Sequence, residues 1–271
     1  MFRSPHLKLA AAIAFTVAAG ALWLVSFRTA AGARIDATIM TGFLGLSGPR
    51  IDRLADGVAH LADPMPFALA TVAVVTVALL RGRPWRAATA GVVLIGANAT
   101  TQALKVLTAE PRLAGAHVDA ASWPSGHATA AMTMTLCALM VVPSRWRPPV
   151  LALGGVFTIA VGYSVLVLGW HLPSDVLGAF CVAGVWTLLA VTAATALERR
   201  RAPNRPLRLH AALGPAAAAG VAVAAGLAAA ALARPDAALA YAAANTTFVV
   251  GAAAIGSAVL AVTAAIAATV D

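Results

Sequence analysis

Three short stretches of this chain carry side chains that could together handle a phosphoryl group. The first is Asn98, Thr101, Lys105 and Arg112, at the end of an apolar run. Their spacing of three, four and seven would set them on one helical face, provided the helix extends that far. By itself Lys105 reads better as an ammonium snorkelling to an interface. The second stretch is Ser122-Trp123-Pro124-Ser125-Gly126-His127, directly before another apolar run. Ser125 stands where an N-cap belongs, Gly126 lets a ligand approach the backbone, and the first amides of the following helix would face an anion. The third is Trp170-His171-Leu172-Pro173-Ser174-Asp175. His171 and Asp175 are four apart, so the carboxylate can hold one ring nitrogen and leave the other as nucleophile or base. Singly these are weak signals: a helix start with a stray histidine, a plain His–Asp hydrogen bond. Jointly, two cations and helix-end amides suit a phosphoryl group, and two histidines supply a nucleophile and a proton donor.

The elements that must position these residues are membrane helices. The chain has 271 residues, of which 61% are hydrophobic and 11% charged, with a mean hydropathy of +0.87. Soluble domains carry roughly 25% charged residues. The composition excludes an ordinary soluble enzyme, a disordered tail and a nucleic-acid reader, because the net charge of +9 is spread between apolar runs. Stretches free of Asp, Glu, Lys and Arg run over 9–27, 64–80, 87–104, 120–144, 148–170, 176–197, 209–233 and 237–270, giving eight candidate spans. No alternating pattern points to a barrel, so the spans are helices. Cys137 and Cys181 both lie inside apolar runs, which rules out a disulfide framework. The first run resembles a signal peptide in having Arg3 and Lys8 before it and Ala31-Gly32-Ala33 behind it. Its length favours a retained span.

Counting alternate loops, the side bearing the N-terminus holds twelve Lys and Arg residues and the other side seven, which makes the first side cytoplasmic. All three chemical stretches then fall on the far side. In the 28–63 connection, Ile51, Leu54, Val58 and Leu61 form one helical stripe, read as a short helix on the membrane surface or capping the bundle. The basic, proline-broken segment 198–208 is the best internal boundary. Beyond it Gly214, Gly220, Gly226, Gly251 and Gly256 suggest close helix packing, or simply reflect small-residue composition.

The three stretches resemble the type 2 phosphatidic acid phosphatase family, the integral-membrane lipid phosphate phosphatases that share a site with vanadium haloperoxidases. The family pattern is Lys, six residues, Arg-Pro; then Pro-Ser-Gly-His; then Ser-Arg, five residues, His, three residues, Asp. This chain has Lys105 and Arg112-Leu113, Pro124-Ser125-Gly126-His127, and Ser164-Val165, His171 and Asp175. The resemblance spans roughly 9–197 and is specific only in 105–175. It implies an all-α, polytopic helical bundle with a six-span phosphatase core over 1–197; the cytoplasmic linker over 198–208 and two further transmembrane helices over 209–271 are read from the charges and apolar runs and lie outside the resemblance. It also implies a mechanism without metal or other cofactor. His171 would attack phosphorus, Asp175 would orient it, and His127 would protonate the leaving alkoxide. Lys105, Arg112, Ser125 and the Gly126 amide would hold the phosphate oxygens.

Two positions depart from the pattern. Leu113 replaces a proline. Val165 replaces a phosphate-gripping arginine, a loss worth about 1.5–3 kcal/mol. Ser164, Asn98 and His117 are secondary candidates, His117 as a substitute donor or an exposed loop histidine. The expected function is hydrolysis of a lipid phosphate or diphosphate from the non-cytoplasmic leaflet of the cell membrane. Trp123 and Trp170 flank the site at headgroup level or pack in the core. Transfer of a phosphoryl or phospholipid headgroup to an alcohol at the same site is the alternative enzyme reading. A degenerate, non-catalytic lipid-phosphate binder is the other alternative, motivated by Val165. The expected partners are the lipid substrate and the bilayer, with no nucleic acid; the C-terminal helices are a candidate surface for a protein partner or homo-oligomer.

Overall fold

The computed structural model describes residues 5–113, 118–199 and 235–269. All regular structure in them is helical: α1 Pro5–Arg28, α2 Ala30–Leu44, α3 Pro49–His60, α4 Pro64–Leu80, α5 Pro84–Leu107, α6 Gly126–Val141, a 3₁₀ turn Ser144–Trp146, α7 Arg147–Val167, α8 Pro173–Arg199, α9 Pro235–Ala244 and α10 Thr246–Ala267. Proline opens α3, α4, α5, α8 and α9, where its fixed φ is already helical and its missing N–H is not needed. His117 and the proposed linker and span over 198–233 fall largely outside the described residues.

Among the described residues, five helices are long and apolar enough to cross a membrane: α1, α5, α7 with its preceding 3₁₀ turn, α8 and α10. The bent pair α3 and α4 forms a sixth candidate, with a 46° break between its halves. Several apolar runs therefore change shape. The run 120–144 yields only the 16-residue α6, because Ser125 caps it at one end and Pro143 follows at the other. The run 237–270 is divided at Asn245 into α9 and α10. The 28–63 connection holds two helices instead of one. On α3 the buried residues are Ala55 and Ala59, while Ile51, Leu54 and Leu61 are exposed. The apolar stripe is thus divided: Val58 packs against the buried cluster of Ala130, Ala131 and Val161, and the other three face outward.

The central helix is α8, which packs against α1, α5, α6 and α10; α6 and α7 pack face to face beside it. Small residues allow close approach. A Cβ on Gly96 would meet the Trp186 ring, and one on Gly154 would meet Thr135. The last helix is part of the same core: Ile255, Val259, Val262 and Ile266 are buried and join one cluster with Phe43, Leu166 and Phe180. A Cβ on Gly251 would meet Ile39 of α2, and Tyr163 of α7 donates to the Ala252 carbonyl at 2.6 Å. Lys8 Nζ, at the start of α1, reaches the Thr269 carbonyl at 3.3 Å.

Candidate functional site

The site lies at one end of the bundle, where α5 ends, α6 begins and the α7–α8 turn passes. Gly169 makes that turn with φ +76°, a conformation open chiefly to glycine. The backbone N–H groups of Trp170 and His171 return to the Val165 carbonyl at 2.9 and 3.3 Å, which fixes the histidine against the end of α7. Asp175, in the first turn of α8, is fully buried. Its Oδ2 lies 3.3 Å from His171 Nδ1 and accepts from the Leu172 amide at 2.9 Å. With Nδ1 on the carboxylate, Nε2 of His171 is the ring atom left for chemistry.

Ser125 is spent on structure. Its Oγ accepts from the Ala128 amide at 3.3 Å, capping α6, and its own amide donates to the Asp175 carbonyl at 3.0 Å. These bonds tie the start of α6 to the start of α8, so the second and third stretches meet through backbone. The first stretch joins through Thr101, whose hydroxyl lies 3.0 Å from that of Thr129. Thr101 is thus a buried clamp between α5 and α6. Asn98 and Lys105, on the same helix, line a cavity of about 300 Å³ with Gln102, Gly126 and His127. Its remaining wall is apolar: Ala62, Pro64, Phe67 and Ala130. Asn98 Nδ2 is anchored on the Leu94 carbonyl at 2.8 Å.

Arg112 is placed differently from a residue on the α5 face. That helix stops at Leu107, closed by the Thr108 amide on the Leu104 carbonyl, so Arg112 lies in the loop beyond. Its guanidinium is buried and pairs with Asp175 Oδ1. It also approaches Ser122 at 3.3 Å, Ser174 at 3.4 Å and Asp36 at 3.8 Å, and stacks 3.6 Å from the Phe27 ring centre. Its cation therefore balances two carboxylates behind His171, while Lys105 is the cation in the cavity wall. Burial pushes the Asp36 carboxyl up to about 6, against the lowering effect of the Ser174 hydroxyl and amide that donate to it.

Ser164 is buried near the end of α7, and Val165 is sealed in the aliphatic core. The two tryptophans divide. Trp123 is buried against Gly178, whereas Trp170 stays 38% exposed with its ring centre 5.4 Å from that of His127. Sequence reasoning missed Asp36 and Asp63. Asp63 Oδ1 lies 3.0 Å from His127 Nε2. Its one sequence signal is a carboxylate immediately before the run at 64–80, at the same end as the other polar groups.

A bundle of membrane-length helices, with a His–Asp pair and a second histidine at one end, defines the class: an all-α, multi-pass membrane protein with a polar site at the ends of its spans. Residues 86–199, which contain all three stretches, match the family model described as the PAP2 superfamily. It is also similar to a crystal structure described as the first transmembrane PAP2 type phosphatidylglycerolphosphate phosphatase from Bacillus subtilis. That likeness covers 73% of this chain and 98% of that one, with a TM-score of 0.53 at 20% identity, and it establishes the shared fold. No curated protein matches the chain.

Proposed function

We propose that this protein is a metal-independent membrane phosphatase that hydrolyses a lipid phosphate or diphosphate at the non-cytoplasmic face. The observation that carries the reading is the buried His171–Asp175 pair, whose imidazole interacts electrostatically with that of His127; His127 in turn lines a cavity with Lys105 and Gly126 on one part of its wall and apolar residues on the rest. A phosphate ester of a lipid has that same division. The match of residues 86–199 to the PAP2 family model supports phosphatase chemistry, and the excess of cations on the opposite side supports the sidedness.

In this reading His171 Nε2 attacks phosphorus and forms an N–P bond as the P–O bond to the lipid breaks. The electron pair stays on the lipid oxygen, which takes a proton from His127. Water then attacks the phosphohistidine, His127 accepts its proton, the N–P bond breaks and orthophosphate leaves. Asp175 stabilises the charge that develops on the His171 ring. Lys105 and the Gly126 amide face the non-bridging oxygens as charge spreads over them. Arg112 acts through Asp175 by fixing its position and charge.

Purified protein in detergent is expected to release phosphate from phosphatidate or a polyprenyl phosphate in the presence of a chelator. His171→Ala is expected to abolish release. Turnover that survives this substitution would overturn the mechanism, and an absence of turnover on every lipid phosphate would favour the non-catalytic binder.

A further inference from the structure

The junction between α3 and α4 places a carboxylate where the helix it precedes does not use it. Asp63 is the N-cap of α4, with φ −63° and ψ 162°, yet its side chain makes no capping hydrogen bond. Ser125, at the equivalent position of α6, does cap its helix. Aspartate is among the best N-cap residues because its oxygens normally turn back to the N2 or N3 amide. Here they turn to two imidazoles instead. Oδ1 lies 3.0 Å from His127 Nε2, a partner 64 positions away in sequence, and Oδ2 lies 3.8 Å from His60 Nε2. Pro64 and Pro66 in the first turn of α4 remove two amides that could have competed for the carboxylate. The His127 ring is held on another side by Trp170.

We propose that Asp63 is the positioning residue of the leaving-group acid, holding His127 by Nε2 so that the ring's other nitrogen, Nδ1, carries the proton exchanged with substrate. The proposal rests on the phosphatase reading above and extends it: the site holds two imidazole–carboxylate pairs, one for the nucleophile and one for the acid. In the first step the Nδ1 proton passes to the lipid oxygen as its bond to phosphorus breaks. In the second step the same nitrogen takes a proton from water, and the Asp63 charge stabilises the imidazolium that results. The other titratable groups facing this ring are His60 beside Asp63, Lys105 on α5 and His171 on the α7–α8 turn. Both members of the pair keep some contact with water, with side-chain exposures of 25% and 35%, so the carboxylate's effect is moderated by solvent.

The test compares leaving groups in the purified full chain. An alkoxide departing from phosphatidate needs a proton, whereas a nitrophenolate departing from nitrophenyl phosphate does not. Asp63→Asn is expected to lower kcat/KM on phosphatidate, which reports the step that breaks the P–O bond, by about 10–100-fold. It should lower kcat/KM on nitrophenyl phosphate by less than about 3-fold, since the bond-breaking step of that ester does not draw on the acid. It should also move the alkaline limb of the phosphatidate profile to lower pH, because an amide no longer favours the charged ring. Asp63→Glu should restore part of the loss. Asp63→Ser, which can cap α4 without charge, gives the same comparison if the asparagine variant does not assemble. An equal fall in kcat/KM for both esters, or an unmoved alkaline limb, would overturn the inference. If the aryl ester is not turned over, the limb measured on phosphatidate alone decides it. A wild-type chain that releases phosphate from neither ester would instead sink the phosphatase reading, and this inference with it.

Discussion

At the scale of single residues, Arg112 and Val165 show how position within a motif is separate from what a side chain touches. The spacing from Lys105 to Arg112 is legible in the sequence, as is the pairing of His171 with Asp175 four positions later. That the guanidinium turns to Asp175 and Asp36 is not, because Asp36 is 76 positions earlier and reaches the site only through packing of α2. Val165 reads in the sequence as an arginine lost from a phosphate grip, and Val165→Arg as a simple way to restore it. The structure changes the expected result. Val165 has no exposed surface and belongs to the aliphatic cluster that includes Leu166 and Val176. An arginine there must displace packed side chains, and burying an unpaired charge costs several kcal/mol. Val165→Arg is therefore expected to lower the melting temperature in detergent by about 5–10 °C and to reduce turnover. A variant that melts like the parent and turns over faster would show that the position opens onto the phosphate.

The helices themselves were largely legible, since apolar run length and proline punctuation report a local property of the chain. Their ends were less so. α6 is shorter than its apolar run because Ser125 spends its side chain on capping, and α5 stops before Arg112. The last helix illustrates what periodicity leaves out. By sequence, α10 is an Ala/Gly-rich span outside the family motifs; in the fold it fills a groove made by α2, α7 and α8. Ile255 is fully buried in that groove, whereas Val250 on the same helix is 68% exposed. Between lipid-facing helices the driving force is packing, so a cavity costs lost contacts even without a transfer term. Ile255→Ala is expected to destabilise the protein by about 1–3 kcal/mol and Val250→Ala by less than about 0.5 kcal/mol, as read from melting in detergent. Equal effects would mean that α10 packs loosely.

For the whole molecule, the proposed membrane orientation rests on a charge asymmetry that needs no coordinates: twelve cations on one side and seven on the other. Leu113, beyond the end of α5, and Trp146, beyond the end of α6, lie at opposite ends of the bundle and are both exposed. The native cysteines 137 and 181 are buried. A membrane-impermeant maleimide is expected to label Leu113→Cys in intact cells and Trp146→Cys only after permeabilisation; the reverse pattern would place the site on the cytoplasmic side. The sequence by itself determined the helical class, the span candidates and the motif residues, because hydrophobic length, proline and glycine placement, and i,i+4 spacing act over a few residues. Only the tertiary structure decided which carboxylates complete the site. Asp36 and Asp63 sit in connections that sequence patterning leaves unplaced, and they meet Arg112 and His127 because α2 and the α3–α4 bend pack over the ends of α5, α6 and α8. Long-range packing of side chains, not local propensity, sets those distances.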